Sequence, residues 1–213
     1  MTSKTVHTAV FDTLADWEVG AAIAHINKPE WQRAPGSYEV RTVGRTGDPI
    51  VTMGGVRIVP DLTLEDLTPE QSAMLILPGA DQWISGQLAD FEQKATEFVA
   101  AGVPVAGICG ATFGLARAGL LDNRHHTSNA AVFLEYSGYA GAGRYIDELA
   151  VTDGDVITAS GTAPFAFARE VLGRLGVYEP HILQAWYRLY ANNDAAAYAI
   201  LDEYEHARTA VAR

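Results

Sequence analysis

Residues 103–116 read VPVAGICGATFGLA, and this stretch decides the fold class. Its first half is a short apolar run typical of a buried strand, whereas its second half is small and apolar with helical spacing. Cys109, the only cysteine of the chain, stands at the junction. A strand that turns directly into a helix with a nucleophile at the corner is a nucleophile elbow, whose corner residue adopts a strained backbone conformation. The stretch therefore predicts an α/β fold that presents Cys109 at the end of a strand.

Two interpretations of Cys109 follow from this stretch. The helix after it would point its first N–H groups at the sulfur, and this dipole favours the thiolate over the thiol. The alternative is a buried structural cysteine, because free cysteine is among the most buried residue types. The local pattern leaves both interpretations open.

Apolar runs and helical patterns alternate along the rest of the chain. We predict strands at 5–11, 38–43, 50–53, 56–59, 72–77, 149–152 and 156–160, and helices at 15–26, 62–67, 87–101, 110–118, 164–175, 181–190 and 195–210. Asp12 or Asp16 is expected to cap the first helix. Such alternation gives a mostly parallel sheet with helices on both faces, and ligands bind beyond the carboxyl ends of its strands. Residues 12–18, 78–80 and 109–110 should meet at that edge.

Length and charge narrow the class of protein. The 213 residues are enough for one α/β domain, which we place at 1–176, with a helical extension at 177–213 that packs on the domain or at an oligomer interface. The formal net charge of −11 argues against nucleic acid or an anionic membrane surface as a partner. We predict a cytoplasmic protein, since no signal peptide or membrane-spanning run is visible and a lone cysteine excludes a disulfide framework.

Four motifs, in order and spacing, carry a family resemblance. They are ADWE at 15–18 after the first strand, VRIVPD at 56–61 leading to LILPGA at 75–80, AGICGA at 106–111, and DG at 153–154 with ITASG at 157–161. Over about residues 5–176 the chain resembles the DJ-1/PfpI superfamily. The resemblance implies a flavodoxin-like three-layer α/β/α sandwich with a mostly parallel central sheet and a nucleophile elbow, the C-terminal helices being additions. It also implies a homodimer.

The resemblance assigns roles to site residues. Cys109 would be the nucleophile. Glu18 would lie within hydrogen-bond reach of the sulfur, protonated and donating to the thiolate, and would act as general acid and base. Backbone N–H groups of Gly79 or Ala80 and of Gly110 would form an oxyanion hole.

The sequence departs from the family pattern where many relatives carry a histidine, about twenty residues after the cysteine. Asn129 appears in that slot, and His125 and His126 precede it. In an extended segment His126 would point away from the face of Asn129. Assistance to Cys109 would therefore fall to Glu18, or to a repositioned His126. Solvated loop positions are the alternative for both histidines. A late histidine–glutamate pair, needed for a glutamine amidotransferase, is missing after residue 160.

Two functions fit these residues. The first is an enzyme that uses a Cys109 thiolate on a small electrophilic substrate, such as an α-oxoaldehyde, an amide or an isocyanide. The second is a stress or redox protein whose cysteine is oxidised reversibly. A non-catalytic sensor domain is a weaker third possibility. No cofactor or metal is expected, because the chain has no His, Asp or Glu cluster at ligand spacing. We expect a small-molecule substrate as partner.

Overall fold

A seven-stranded sheet forms the centre of the computed structural model, which describes residues 3–211. Its strands, in chain order, are β1 (Lys4–Ala9), β2 (Tyr38–Gly44), β5 (Leu62–Thr63), β6 (Ser72–Leu77), β7 (Val105–Ile108), β8 (Ala150–Asp153) and β9 (Val156–Ala159). They lie in the order β5-β2-β1-β6-β7-β9-β8. All neighbours are parallel except β8 and β9, which form an antiparallel hairpin. The predicted mostly parallel sheet is confirmed.

Helices cover both faces of this sheet. Their bounds are α1 (Asp16–Asn27), α2 (Ala89–Ala100), α3 (Gly110–Arg117), α4 (Ala131–Glu135), α5 (Pro164–Leu175), α6 (Pro180–Asn192) and α7 (Ala197–Val211). Alternate side chains of β6 show the two layers, since Met74 and Ile76 pack in the cluster of α1 and α5, whereas Leu75 and Leu77 pack in the cluster of α2 and α3. The predicted three-layer fold class is confirmed.

The last two helices pack on the same layer as α1 and α5. Trp186 of α6 is fully buried, and its indole N–H donates to Nε2 of His25 at 3.2 Å. The other ring nitrogen of His25 lies 2.9 Å from the Tyr178 hydroxyl. Burial lowers the pKa of His25 to about 4, so the ring is neutral at pH 7. Its Nε2 can therefore accept the hydrogen bond of the indole N–H. The boundary at 176 and the homodimer stay predictions.

Two predicted details were wrong. Residues 62–67 do not form a helix, because Leu62 pairs with Val43 and extends the sheet as β5. Neither Asp12 nor Asp16 caps α1, whose N-cap is Ala15 without a side-chain bond. Both carboxylates instead accept N–H groups from a second hairpin, which consists of β3 (Ile50–Val51) and β4 (Arg57–Ile58). Among the described residues, none of the helices is long and apolar enough to cross a membrane.

Candidate active site

Cys109 lies at the turn from β7 into α3. Its backbone has φ 57° and ψ −123°, a region that non-glycine residues rarely adopt. Its N–H donates to the Ala159 carbonyl at 3.0 Å. Its carbonyl oxygen accepts a hydrogen bond from the Thr112 hydroxyl at 2.6 Å. Because that hydroxyl has donated its hydrogen, it accepts a second hydrogen bond from the Ser128 hydroxyl, also at 2.6 Å. These bonds hold the strained corner in place, and the predicted elbow is present.

Two glycines allow backbone to approach the sulfur closely. A Cβ added to Gly161 would lie 2.7 Å from Sγ of Cys109 and 3.1 Å from Oε1 of Glu18. A Cβ added to Gly79 would lie 2.7 Å from both Cβ of Cys109 and Oε2 of Glu18. Real side chains do not come this close, so both positions need glycine for space. Main chain therefore encloses the thiol and the carboxyl group from two sides.

Glu18 is fully buried beside Cys109. Its Oε2 accepts the Gly79 N–H at 2.6 Å, whereas Oε1 has no hydrogen-bond partner among the described residues. Burial raises the pKa of this carboxyl group to about 7, against the opposing effects of the Gly79 N–H and the Cys109 thiol. A carboxyl group with this pKa can both accept and donate a proton near neutral pH.

The acidity of Cys109 differs from the sequence-based expectation. Burial raises the pKa of its thiol to about 11, and the charge of Glu18 contributes to this rise because it opposes a thiolate. Hydrogen bonds from Asn129 and the Gly110 N–H lower this pKa, but they do not outweigh the other two effects. A proton on Oε1 of Glu18 would remove that charge and supply a donor, which lowers the pKa of the thiol. The two groups therefore form one coupled pair, in which a thiolate forms when the carboxyl group holds the proton.

Asn129 joins this pair at the position for which the family resemblance implies a histidine. Its Nδ2 donates to Sγ of Cys109 at 3.3 Å, and its Oδ1 accepts the Gly161 N–H at 2.8 Å. The second bond fixes which end of the amide faces the sulfur. An amide can stabilise a thiolate by a hydrogen bond, but it cannot take the proton of the thiol. The titratable group in contact with the sulfur is therefore Glu18.

The histidines do not reach the sulfur. His126 is fully buried, with Nδ1 2.8 Å from the Arg124 carbonyl and Nε2 3.1 Å from the Tyr139 hydroxyl. Both ring nitrogens are therefore occupied on the far side of the segment from Asn129. His125 is exposed, and its Nδ1 lies 3.3 Å from Oδ2 of Asp153. This geometry leaves Glu18 as the group able to assist Cys109.

The backbone N–H groups predicted to form an oxyanion hole are not all free. The N–H of Gly79 is not free, because it donates to Glu18. The N–H of Ala80 has no acceptor among residues 3–211, and its nitrogen would lie 3.2 Å from a Cβ added to Gly110. Ala80 and Gly110 lie next to each other and line the same cavity as Cys109, and their N–H groups are the candidates to hold a developing oxyanion.

Two cavities open above Cys109. One has a volume of about 140 Å³ and extends past Met53, Ile84 and Phe133. The other, about 380 Å³, extends past Gly161 and Pro164. Trp17 lines both, and its indole N–H donates to the Gly161 carbonyl at 3.0 Å.

Sequence reasoning missed several residues of these cavities. Trp17 could have been found, because it precedes Glu18 in the chain. Met53 could not, because only the tertiary position of the β3–β4 hairpin brings it here. Between residues 3 and 211, no group of three or more His, Cys, Asp or Glu side chains could hold a metal ion, and the prediction that no cofactor is needed stays a prediction.

We expect Gly161→Ala to impair the site without unfolding the protein. The new methyl group would lie 2.7 Å from Sγ and 3.1 Å from Oε1 of Glu18, so the backbone must shift away from both. Alkylation of Cys109 by iodoacetamide should slow about tenfold or more, which corresponds to roughly 1.4 kcal/mol. Gly143→Ala is the matched control, because an added Cβ there meets open space. Equal alkylation rates for both variants would contradict the close approach.

Glu18 should destabilise the fold above neutral pH. Its pKa is about 7 in the folded protein and 4.5 in the unfolded chain, so the folded state binds more protons between these values. The contribution of Glu18 to stability is therefore present below pH 4.5 and is lost as the pH rises through 7, by about 3 kcal/mol at most. Glu18→Gln cannot ionise, and it should unfold at higher denaturant concentration than the native protein at pH 8 but not at pH 4. If the difference in unfolding midpoint between Glu18→Gln and the native protein does not grow with pH, the raised pKa of Glu18 is contradicted.

Comparisons with known proteins agree with this fold. The DJ-1/PfpI family profile matches residues 4–174. The Bacillus subtilis protein named "uncharacterized protease YoaZ" is 38% identical over 192 residues, which are 89% of this chain and 91% of that protein. The crystal structure of a thiJ/pfpI family protein from Bacillus anthracis superposes with a TM-score of 0.90 at 37% identity, over 96% of this chain and 98% of the other. The DJ-1 superfamily protein Atu0886 from Agrobacterium tumefaciens superposes with a TM-score of 0.78 at 33% identity, over 89% and 98%. The chain belongs to the DJ-1/PfpI family.

Proposed function

We propose that this protein is a cysteine-dependent enzyme that acts on a small electrophilic carbonyl compound, of which an α-oxoaldehyde is the best-fitting class. One observation carries the proposal. The Cys109 sulfur contacts a buried carboxyl group whose pKa is about 7 and an amide that can only donate to it. A nucleophile beside a group able to accept and return its proton is what addition to a carbonyl requires.

The first step is addition of Cys109 to the aldehyde carbon. A bond forms between Sγ and that carbon, the thiol proton passes to Oε1 of Glu18, and the carbonyl electron pair moves onto oxygen. The N–H groups of Ala80 and Gly110, which line the same cavity as the sulfur, would stabilise this oxyanion. Return of the proton to the oxygen gives a hemithioacetal.

The second step moves a proton between the two carbons of the substrate. Glu18 removes the proton of the former aldehyde carbon and returns one to the neighbouring carbon, which converts the hemithioacetal into a thioester of a 2-hydroxy acid. Water then cleaves the thioester and regenerates the thiol. The sum is α-oxoaldehyde plus water to 2-hydroxy acid, without an external oxidant or reductant.

Cavity size favours a small molecule over a peptide. The two cavities next to the sulfur have volumes of about 140 and 380 Å³, within or below the roughly 300–1,000 Å³ of small-molecule sites. One relative is named a protease, so amide cleavage is the competing enzymatic proposal. It would use the same attack by Cys109, with Glu18 protonating the leaving amine.

Reversible oxidation of Cys109 is the second candidate, and the free Oε1 of Glu18 favours it. Peroxide would transfer one oxygen to the thiolate to form a sulfenate and water. A protonated Oε1, which has no partner among the described residues, could then donate to the new oxygen. This reaction uses the same pair of residues and needs no substrate cavity.

The test measures consumption of methylglyoxal and formation of lactate in the absence of glutathione. The proposal expects catalytic turnover that is lost in Cys109→Ser. Cleavage of a fluorogenic peptide library with no methylglyoxal turnover would favour the amidase instead. A stable mass increase of 16 or 32 Da on Cys109 after mild peroxide, without turnover of either substrate, would favour the redox protein.

A further inference from the structure

An exposed apolar cluster borders the smaller cavity beside Cys109. Trp17, Met53 and Ile84 are 54%, 53% and 51% exposed, and with Phe133 they line the same 140 Å³. A single exposed apolar side chain is ordinary, but several that converge on one concave site mark a place where an apolar group binds. We call these four residues the apolar subsite.

The subsite is held in place by hydrogen bonds between loops. The N–H of Met53 donates to the Leu14 carbonyl at 2.9 Å, and the N–H of Gly54 donates to the Asp16 carboxylate at 2.7 Å. These bonds connect the β3–β4 hairpin to Leu14 and Asp16, which precede Glu18 in the chain. Met53 is therefore positioned against the same segment that carries the proton-transfer group, and its side chain is directed to the cavity.

The charges around the subsite have one sign. The charged residues that line the smaller cavity are the acids Glu18 and Asp81. Within residues 3–211, neither cavity is lined by a lysine or an arginine. Arg117 donates to the Ile84 carbonyl at 3.3 Å, but its guanidinium group is paired with Glu92. An anionic substituent would therefore lose its hydration and find no counter-charge.

We propose that the apolar subsite selects neutral electrophiles that carry a short apolar substituent, and that it excludes electrophiles that carry a carboxylate. The substituent packs against Met53, Ile84 and Phe133 while Cys109 attacks the adjacent carbon. This inference deepens the proposed function and shares with it the reaction of Cys109 with electrophilic carbon. It predicts that methylglyoxal is a far better substrate than 4,5-dioxopentanoate, an α-oxoaldehyde whose carbon chain ends in a carboxylate.

The test compares alkylation of Cys109 by iodoacetamide and by iodoacetate, because this reaction does not require turnover. In both cases Sγ bonds to the methylene carbon, iodide leaves, and the thiol proton passes to Glu18 or to water. The ratio of the two rates is divided by the same ratio for N-acetylcysteine at equal pH and ionic strength. We expect this normalised ratio to favour iodoacetamide about tenfold or more, which corresponds to a difference in activation free energy of roughly 1.4 kcal/mol.

Lysine substitutions separate the subsite from the overall charge. Ile84→Lys and Met53→Lys each place an ammonium group at the cavity and should reduce the preference at least about threefold. Val59→Lys adds the same charge at a side chain that is 66% exposed and does not line the cavity, and it should leave the ratio unchanged. All three sites are exposed, so the variants should fold, and circular dichroism checks this.

The outcomes distinguish this inference from the proposed function. A normalised ratio near one in the native protein, or an equal shift in Val59→Lys, overturns the subsite. If methylglyoxal is not turned over but the alkylation preference and its loss in Ile84→Lys and Met53→Lys are observed, the subsite is supported and the proposed function fails. If methylglyoxal and 4,5-dioxopentanoate are turned over equally well, the function is supported and the selectivity is overturned.

Discussion

Cys109→Ser should lower the rate of methylglyoxal turnover at least about a thousandfold, while the free energy of unfolding stays the same. A serine hydroxyl is far less acidic than a thiol, and Glu18 with a pKa of about 7 is too weak a base to ionise it. The substitution changes one atom and keeps the backbone at φ 57°, so the strain of the elbow is the same in both proteins. The measurements are lactate formation and thermal unfolding.

The chain offers a direct control for this experiment. Because Cys109 is the only cysteine, iodoacetamide should add one label to the native protein and none to Cys109→Ser. Thr127→Ser, which keeps a hydroxyl group at a buried position away from the cavities, is a matched substitution that should retain turnover. Turnover above a few per cent in Cys109→Ser would contradict a cysteine nucleophile and would require another group.

Glu18→Gln should lower kcat/KM by about 10²- to 10⁴-fold, which is the range for loss of a general acid or base. In the native protein kcat/KM should rise with pH through about 7, because the free enzyme then loses the first proton of the coupled pair. It should remain high until the second proton is lost, near pH 11 or above. Glutamine can still accept the Gly79 N–H, but it cannot take a proton from the thiol.

The shape of the pH profile is the decisive measurement for Glu18. The inflection near pH 7 should vanish in Glu18→Gln and persist in Asp81→Asn, which removes another carboxylate that lines the same cavity. Persistence of the inflection in Glu18→Gln would mean that a different residue titrates there. Alkylation by iodoacetamide, followed over the same pH range, checks that the effect belongs to Cys109 and not to a later step.

The sequence sufficed for the sheet and the elbow because both are encoded locally. A continuous apolar run such as 72–77 can be buried on both faces only in a central strand, and residues 103–116 change from strand to helix period at Cys109. The resemblance to a family placed Glu18 and Asn129 near the sulfur, and the structure brings both of them to Cys109. Their catalytic roles stay predictions.

Other features depend on tertiary contacts that no local pattern reveals. Asp12 and Asp16 have the side chains of helix caps, but the β3–β4 hairpin offers them N–H groups, and they bind these instead. Gly79 resembles an oxyanion donor until Glu18 takes its N–H. The acidity of Cys109 could not be predicted either, because the helix dipole is visible in the sequence, whereas the depth of burial that outweighs it is not.

The indole of Trp17 gives the protein an optical reporter of its own active site. Of the four tryptophans, Trp31, Trp83 and Trp186 are at most 6% exposed, whereas Trp17 is 54% exposed and precedes Glu18. Its N–H also bonds to Gly161 over the sulfur. Quenching of the solvent-accessible fluorescence by acrylamide therefore reports on this one side chain, and occupancy of either cavity can be followed without a label.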